Sequence, residues 1–538
     1  MFSSRTVRPP RLFPALLVAA CVSALTLEAR AQTDLPPAPP PTLPPEAEPP
    51  APLPPPPPVV PPVPEAPPMA PPAPAEPAPA APAEPAPPAA APPASLPLAE
   101  QPLAGFSDGV AFLRAPDNSF IFFPNGRLQV DTYVFKSGIT SVPKDTFLLR
   151  RARLELAGWI GSWVYFYLAG DFAQSPPASA APAAPANIAT TDDFVALAPW
   201  KNLAILQIGQ FDAPFTLENR TSDKYFDFME RSITVRAFGI PDNKEMGAML
   251  HGWNEPRNFL YSIAVVNGDG QNFKNVDNEF DVMGRAWVAP FSFAGPGPLH
   301  DVAIGGSLWT GDRSNTLAPM AQMTQGGLTF LPTAAFTSTP AGGTTAETVQ
   351  LRQVGRMNAF AVELNVPVAH KYGVRGELVW KHQPLSEEVI GSSGASTMNL
   401  GGANLRGYSA YGEAWVWLLG DDTIIGDQQG LEPFLRYTTF KLRPPQDGVM
   451  IAARYEHLDE NLTEDASSAA LSLGNKAVGK TIVDSGELGV NYWHSKRFRA
   501  TFNYVLNHFD RGADATPTLK GFASAWENEL LFRFAVAL

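Results

Sequence analysis

The sequence predicts an all-β protein: a transmembrane antiparallel β-barrel of about sixteen strands, preceded by a disordered proline-rich segment. Three observations carry this. The chain opens on an export signal, segments of about ten residues alternate apolar with polar or small side chains, and from residue 105 onward no apolar run could cross a bilayer as a helix.

The amino terminus reads as an address. Arg5, Arg8 and Arg11 precede an apolar run over residues 12–27, and Ala29-Arg30-Ala31 supplies a small-x-small cleavage site before Gln32. Residues 1–31 are therefore assigned as a signal peptide. Val18-Ala19-Ala20-Cys21 offers a competing lipoprotein box, which would leave the apolar stretch 22–27 beside the lipid. Cys21 is the single cysteine, so cleavage after Ala31 leaves no thiol, and structural disulfides, thiolate metal sites and cysteine nucleophiles drop out.

Residues 32–104 form the second segment, a Pro/Ala-rich periplasmic linker. Its centre, 35–97, is built mostly of Pro, Ala and Glu, as in Pro74-Ala75-Glu76-Pro77. Proline fixes φ and lacks a backbone donor, so the segment should be extended and semi-rigid, at roughly 3 Å per residue. It is either an inert tether or a contact with the cell wall or a periplasmic partner.

The third segment, 105–538, carries the strand pattern. Leu128, Val130, Thr132 and Val134 alternate with Gln129, Asp131 and Tyr133; Val164, Phe166 and Leu168 alternate with Tyr165 and Tyr167. Leu531, Phe532, Phe534 and Val536 mark a last strand on which the chain ends. A period of two puts one set of side chains on each face of a strand. A soluble sandwich would show the same alternation. The export signal, the terminal strand and tryptophans expected near strand ends, namely 159, 163, 253, 287, 309, 380, 415, 417 and 493, favour the membrane barrel, whose closure removes unpaired edges. Stretches 174–190, 311–350, 382–403 and 459–480 lack strand period and read as long connections. The formal net charge of -13 is summed over loops, linker and rims, whereas local charge in the lumen is what filters ions.

The densest charge in the barrel lies in 147–156, FLLRRARLEL. Ala152, Leu154 and Leu156 share one face, assigned to lipid; Arg151, Arg153 and Glu155 share the other, assigned to the lumen. An arginine facing lipid near the bilayer midplane would cost about 2 to 4 kcal/mol, so the alternation orients the strand. Arg150 has the wrong parity and belongs at the rim or beside a bulge. These arginines either pair with carboxylates across the barrel wall or form a cationic constriction that attracts phosphate-like anions through the guanidinium fork.

Several stretches in order give the barrel a family resemblance: GFSDGVAFLRAPDNSFIFFPNGRLQVD, FLLRRARLELAGW with DFA at 171–173, IGQFDAPFTLENRTSDKYFDFMERS at 208–232, AVVNGDGQNF, GYSAYGEAWVWLLGDD, GVMIAARYEHLD and GELGVNYWHSKRFRATFNYVLNHFD. From about Gly105 to the carboxyl terminus the chain resembles the phosphate-selective porin O and P family. The resemblance implies a sixteen-stranded barrel, commonly a homotrimer, in which basic side chains guide anions to a central site. Carried over by position, that site maps to Arg127, Arg150, Arg151 and Asp192, and Arg153 and Arg220 complete the candidate set. Gln207 and Asn219 stand where phosphate-specific members have lysines, which argues against tight phosphate specificity. The terminal residue is Leu538 rather than the usual aromatic.

Other chemistries find little support. Gly105-Phe106-Ser107-Asp108-Gly109 matches a hydrolase elbow, but the motif requires a strand-turn-helix setting. His251, His370, His457 and His508 show no metal-ligand spacing. Asn267-Gly268-Asp269-Gly270 resembles the start of a calcium loop but lacks the later glutamate, so it reads as a polar turn. The expectation is a non-enzymatic, cofactor-free, water-filled channel in the outer membrane of a Gram-negative bacterium. It would pass small inorganic anions, phosphate or polyphosphate among them, surrounded by outer-membrane lipid and lipopolysaccharide, with no nucleic-acid partner. The alternatives are a general, weakly selective porin, or a barrel that chiefly anchors the proline-rich arm.

Overall fold

The computed structural model describes residues 102–537, apart from 108–109, 138–142, 174–187, 241–242, 255–257, 296, 315–321, 332–335, 339–346, 392–395, 426–445, 465–477 and 522–524. The signal peptide, nearly all of the linker, and parts of the four stretches read as long connections lie outside the described residues.

Sixteen strands form one closed wall. They are β1 (Phe120–Ser137), β2 (Thr146–Ile160), β3 (Val164–Asp171), β4 (Asp193–Leu197), β5 (Ile205–Asp212), β6 (Lys244–Trp253), β7 (Phe259–Val266) and β8 (Asp281–Val288). The second half comprises β9 (Ala303–Ser314), β10 (Glu347–Val368), β11 (Tyr372–Ile390), β12 (Ser396–Leu419), β13 (Gly448–Glu464), β14 (Gly479–Ser495), β15 (Phe498–Arg511) and β16 (Trp526–Ala537). Each pairs antiparallel with the next. The ring closes where β16 pairs with β1, from Glu527 opposite Ser137 to Ala537 opposite Arg127. Closure satisfies the backbone groups that an open edge would expose to hydrocarbon.

The predicted alternation is the wall itself. Leu128, Val130, Leu154, Leu168, Phe360, Leu364, Leu488, Phe532 and Phe534 point outward, while Gln129, Asp131, Arg151, Glu155, Arg454, Glu487 and Arg533 are buried inside. Most tryptophans depart from expectation. Trp163 and Trp380 are exposed, but Trp159, Trp253, Trp287, Trp309, Trp415, Trp417 and Trp493 point into the barrel and are buried. Their strand parity, and not their nearness to a strand end, decides the face. Outward aromatics at the strand ends include Phe259, Tyr372, Tyr492 and Trp526.

Connections β2–β3, β10–β11 and β14–β15 are tight turns at one end of the barrel; by the usual asymmetry of membrane barrels that end is the periplasmic one. The stretch read as a connection over 382–403 is instead mostly strand, since β11 runs to Ile390 and β12 starts at Ser396. Residues 459–464 and 479–480 likewise extend β13 and β14, and 311–314 and 347–350 extend β9 and β10. Asn399, Gly401, Gly402 and Asn404 pair with β11 across a register shift and mark no apolar face, which hid the strands in the sequence. Before β1, Ala104–Ser107 pairs with Val110–Arg114 as a hairpin. Gly105 and Ser107 of the hydrolase-like motif thus sit on a strand followed by another strand, while 108–109 lie outside the described residues.

Candidate functional site

The lumenal site starts on β1 and β2. Register places Arg127 opposite Arg153 and Gln129 opposite Arg151, and then jumps, so that Val130 faces Leu149. Arg150 is the extra residue of this irregularity. A bulge lets neighbouring residues depart from strict alternation, so Arg150 and Arg151 both reach inward: Arg150 donates to Glu230 at 2.9 Å and Arg151 to Gln129 at 2.7 Å.

The β5–β6 connection, 213–243, supplies the other half. It carries two short helices, α1 (Leu217–Arg220) and α2 (Ile233–Phe238). Thr216 and Ser232 cap them by accepting from the N–H groups of Asn219 and Val235. Wall carboxylates hold the helix starts: Glu377 on β11 accepts from Leu217 and Glu218 at 2.8 Å each, and Glu456 on β13 accepts from Ile233. Phe215, Leu217, Phe228, Met229, Ile233 and Phe238 are buried, so the segment is packed into the lumen. Sequence reasoning did not single it out as the in-folded loop, although Glu218, Arg220, Asp223, Lys224, Asp227, Glu230, Arg231 and Arg236 make it charge-dense.

Wall and segment meet in one ion-pair network. Asp223 pairs with Arg127, with Arg151 at 2.7 Å and with Arg153 at 3.6 Å. Arg127 also donates to Glu155 at 2.6 Å, and Lys224 reaches the same carboxylate at 2.9 Å. Arg153 pairs with Asp171 at 2.8 Å. Glu230 gathers Arg150, Arg236 and Arg533, with Arg151 at 4.0 Å. Arg533 ties in Asp131 at 2.7 Å. Seven basic and five acidic side chains thus share this side of the lumen.

The β11–β14 stretch of the wall has the reverse balance. Arg454 on β13 meets Glu218 at 3.0 Å, Glu456 at 3.0 Å, Glu487 at 2.6 Å and Glu413 at 4.0 Å. Arg375 on β11 meets Asp227 at 3.1 Å and Glu413 at 2.8 Å. Two basic side chains here face five acidic ones. Arg454 also stacks over Phe228 at 4.4 Å from the ring centre, which binds the inserted segment to this wall.

On the inserted segment, which is not itself a spanning strand, Asp223 and Glu230 titrate abnormally. Burial alone would raise both carboxyls. The guanidiniums of Arg127, Arg151 and Arg153 outweigh it at Asp223, and those of Arg150, Arg533 and Arg151 at Glu230, so both lie well below the ordinary carboxylate range.

Of the residues singled out from sequence, Arg127, Arg150, Arg151 and Arg153 come together. Asp192 instead pairs with Lys244 at 2.8 Å, which also holds Asp212 at 2.6 Å. Arg220 sits on α1 and donates to the Asp212 carbonyl. Gln207 and Asn219 are both buried, and Asn219 donates to the Ala213 carbonyl at 2.9 Å, so neither position carries a cation. Lys224 and Lys244, which no motif flagged, bring cations to the two neighbouring clusters.

A second insertion lies between β9 and β10. Residues 322–331 make a small hairpin whose Gln322, Thr324, Gln325, Leu328 and Phe330 are buried. Gln322 donates to Glu460 at 2.8 Å, Gln325 to Glu456 at 2.6 Å, and the Gly326 N–H to Glu529 at 2.8 Å. This stretch therefore spans from its own strands to β13 and β16. The turn at 267–270 is structural: the N–H groups of Gly268 and Gly270 each donate to Glu245 at 3.0 Å.

Residues 123–319 match the family described as phosphate-selective porin O and P, a stretch that holds most of β1, β2 through β9 and the inserted segment 213–243. No curated protein matches the chain. Solved structures similar to the chain include OmpT, an outer membrane protein of Vibrio cholerae, at 10% identity and TM-score 0.44, covering 79% of this chain and 100% of that one. The anion-selective porin from Comamonas acidovorans aligns at 10% identity and TM-score 0.43, with 78% and 100% coverage. The outer membrane channel DcaP of Acinetobacter baumannii aligns at 10% identity and TM-score 0.44, with 81% and 100% coverage.

Proposed function

We propose that this chain, whose residues 123–319 carry the phosphate-selective porin O and P pattern, is an outer-membrane porin for passive diffusion of small solutes with a modest preference for anions. The observation that carries the reading is the unequal charge on the Arg127–Arg150–Arg151–Arg153 side of the inserted segment, seven basic side chains against five acidic. A small anion passing there gains more attraction than it meets repulsion. Tight phosphate capture is not part of the proposal, because each of these arginines already holds a carboxylate and Gln207 and Asn219 contribute no charge. The same reading includes export by residues 1–31, a periplasmic linker over 32–104, and a homotrimer set in lipid and lipopolysaccharide.

The second inserted hairpin, 322–331, favours one alternative: a narrow or closed barrel that anchors the proline-rich arm. Planar-bilayer recording separates the two. Purified protein should give discrete conductance steps, with a reversal potential across a chloride gradient that reports anion preference and moves toward zero in Arg151→Ala. Steps without selectivity would make the protein a general porin, and their absence would favour the anchor.

A further inference from the structure

Asp223 sits where a solute anion would sit. Arg127 on β1 lies opposite Arg153 on β2, and Arg151, two residues before Arg153 on β2, lies opposite Gln129. What occupies this cradle is not a solute but the inserted segment's own carboxylate. One Asp223 oxygen meets Arg127; the other lies 2.7 Å from Arg151 Nε and 3.6 Å from Arg153. Arg127 and Arg153 each have a wall carboxylate of their own, Glu155 and Asp171, whereas the wall gives Arg151 only the neutral amide of Gln129. The cradle without Asp223 therefore leaves Arg151 with no carboxylate nearer than Glu230 at 4.0 Å.

The fit is imperfect. Arg151 Nε is buried and, although Asp223 is close, its N–H makes no hydrogen bond, because the carboxylate oxygen is off the N–H direction. A buried guanidinium donor left unaligned is costly, and an anion free to choose its position could satisfy it.

We propose that Arg127, Arg151 and Arg153 form an oxyanion site that Asp223 fills from within the chain, and that this internal occupant sets how weakly the site takes small oxyanions such as inorganic phosphate. This rests on the porin reading only for its role in permeation; occupancy itself is a binding property. Asp223 thereby acts as a specificity-determining residue: with it in place phosphate meets a site already neutralised, and without it the same three guanidiniums become available.

The test is phosphate binding by isothermal calorimetry to the full, detergent-solubilised protein, for the native chain, Asp223→Asn, Asp223→Ser and Arg151→Gln/Asp223→Asn. Heat-modifiable migration on gels checks that each is folded. Removing the internal carboxylate should tighten phosphate binding about tenfold or more, the size of one charge-assisted hydrogen bond, and the Arg151 change should abolish the gain. Equal phosphate affinity in the native chain and both folded Asp223 variants overturns the proposal. So does loss of the folded band in both, which would assign Asp223 to bracing the segment. Bilayer conductance of the native protein is read separately: silence there removes the channel reading and leaves the binding result to stand or fall alone.

Discussion

Arg533 on β16 grips Asp131 on β1 with two parallel hydrogen bonds, Nε to Oδ1 at 2.8 Å and Nη2 to Oδ2 at 2.7 Å, across the seam where the last strand meets the first. Both side chains are almost wholly buried, and Arg533 also reaches Glu230 on the inserted segment at 2.8 Å. One arginine therefore ties barrel closure to the constriction. Removing Asp131 leaves the buried Arg533 with Glu230 as its remaining carboxylate, at a cost of about 1.5–3 kcal/mol. Asp131→Ala should thus unfold at clearly lower urea in detergent micelles than the native chain, while Asp131→Leu/Arg533→Met should recover most of the loss. A double variant as weak as the single one would deny the pair that role.

The outward face makes a separate prediction. Leu488 lies midway along β14, exposed, between Tyr492 and Asp484 on the same face. If the belt there is lipid-facing, Leu488→Arg should cost about 2–4 kcal/mol of folding free energy in bilayers. The control Leu488→Ala introduces no charge and is spared that penalty. Folding titrations into phospholipid vesicles would show the contrast, and equal effects would mean the belt is not in contact with lipid.

How much of this was legible in the sequence depends on what carried the signal. Strand period and the parity of Arg151, Arg153 and Glu155 gave the wall and its orientation, since a period of two leaves no freedom once one face must be apolar. Arg150 was legible as an exception, and the register irregularity explains it. Asp223 and Glu230 were not legible, because their partners lie on strands distant in the chain: Asp223 and Arg127 are 96 residues apart, and Glu230 and Arg533 are 303 apart. Lumen-filling connections carry no periodicity of their own. Their charge density was visible, but only the closed barrel turns it into a constriction. The tryptophans misled for the opposite reason: residue type suggested an interface, and parity sent them inside.

The charges of Asp223 and Glu230 should be insensitive to mild acid. Because the guanidiniums around them hold Asp223 and Glu230 well below the ordinary carboxylate range, both stay ionised where free carboxylates protonate. Their folded values lie under their unfolded ones, so the stability they contribute is complete above the ordinary carboxylate range and is lost only as pH falls through the depressed values. Any change in reversal potential between about pH 7 and about pH 4 should accordingly come from other lumenal carboxyls and be of the same size in the native chain and in folded Asp223→Asn. A clearly smaller pH-dependent change in Asp223→Asn would show that Asp223 titrates in that interval.

The second inserted hairpin can be dislodged at one glycine. Gly326 packs so tightly that an added Cβ would fall 2.6 Å from the Phe135 ring and 2.9 Å from the Glu529 carboxyl carbon, and its N–H is the donor to Glu529. Phe135 belongs to β1 and Glu529 to β16, whose pairing limits how far either can retreat. Gly326→Val would therefore push the hairpin tip off the wall, with Gln322 and Gln325 left to hold it through Glu460 and Glu456. If residues 322–331 narrow the lumen, the variant should conduct more than the native channel in the same salt, while its anion preference, set by the Arg127–Arg151 side, changes little. Deleting 322–331 should reproduce the gain. An unchanged conductance in both folded variants would place the limiting constriction at the 213–243 segment alone.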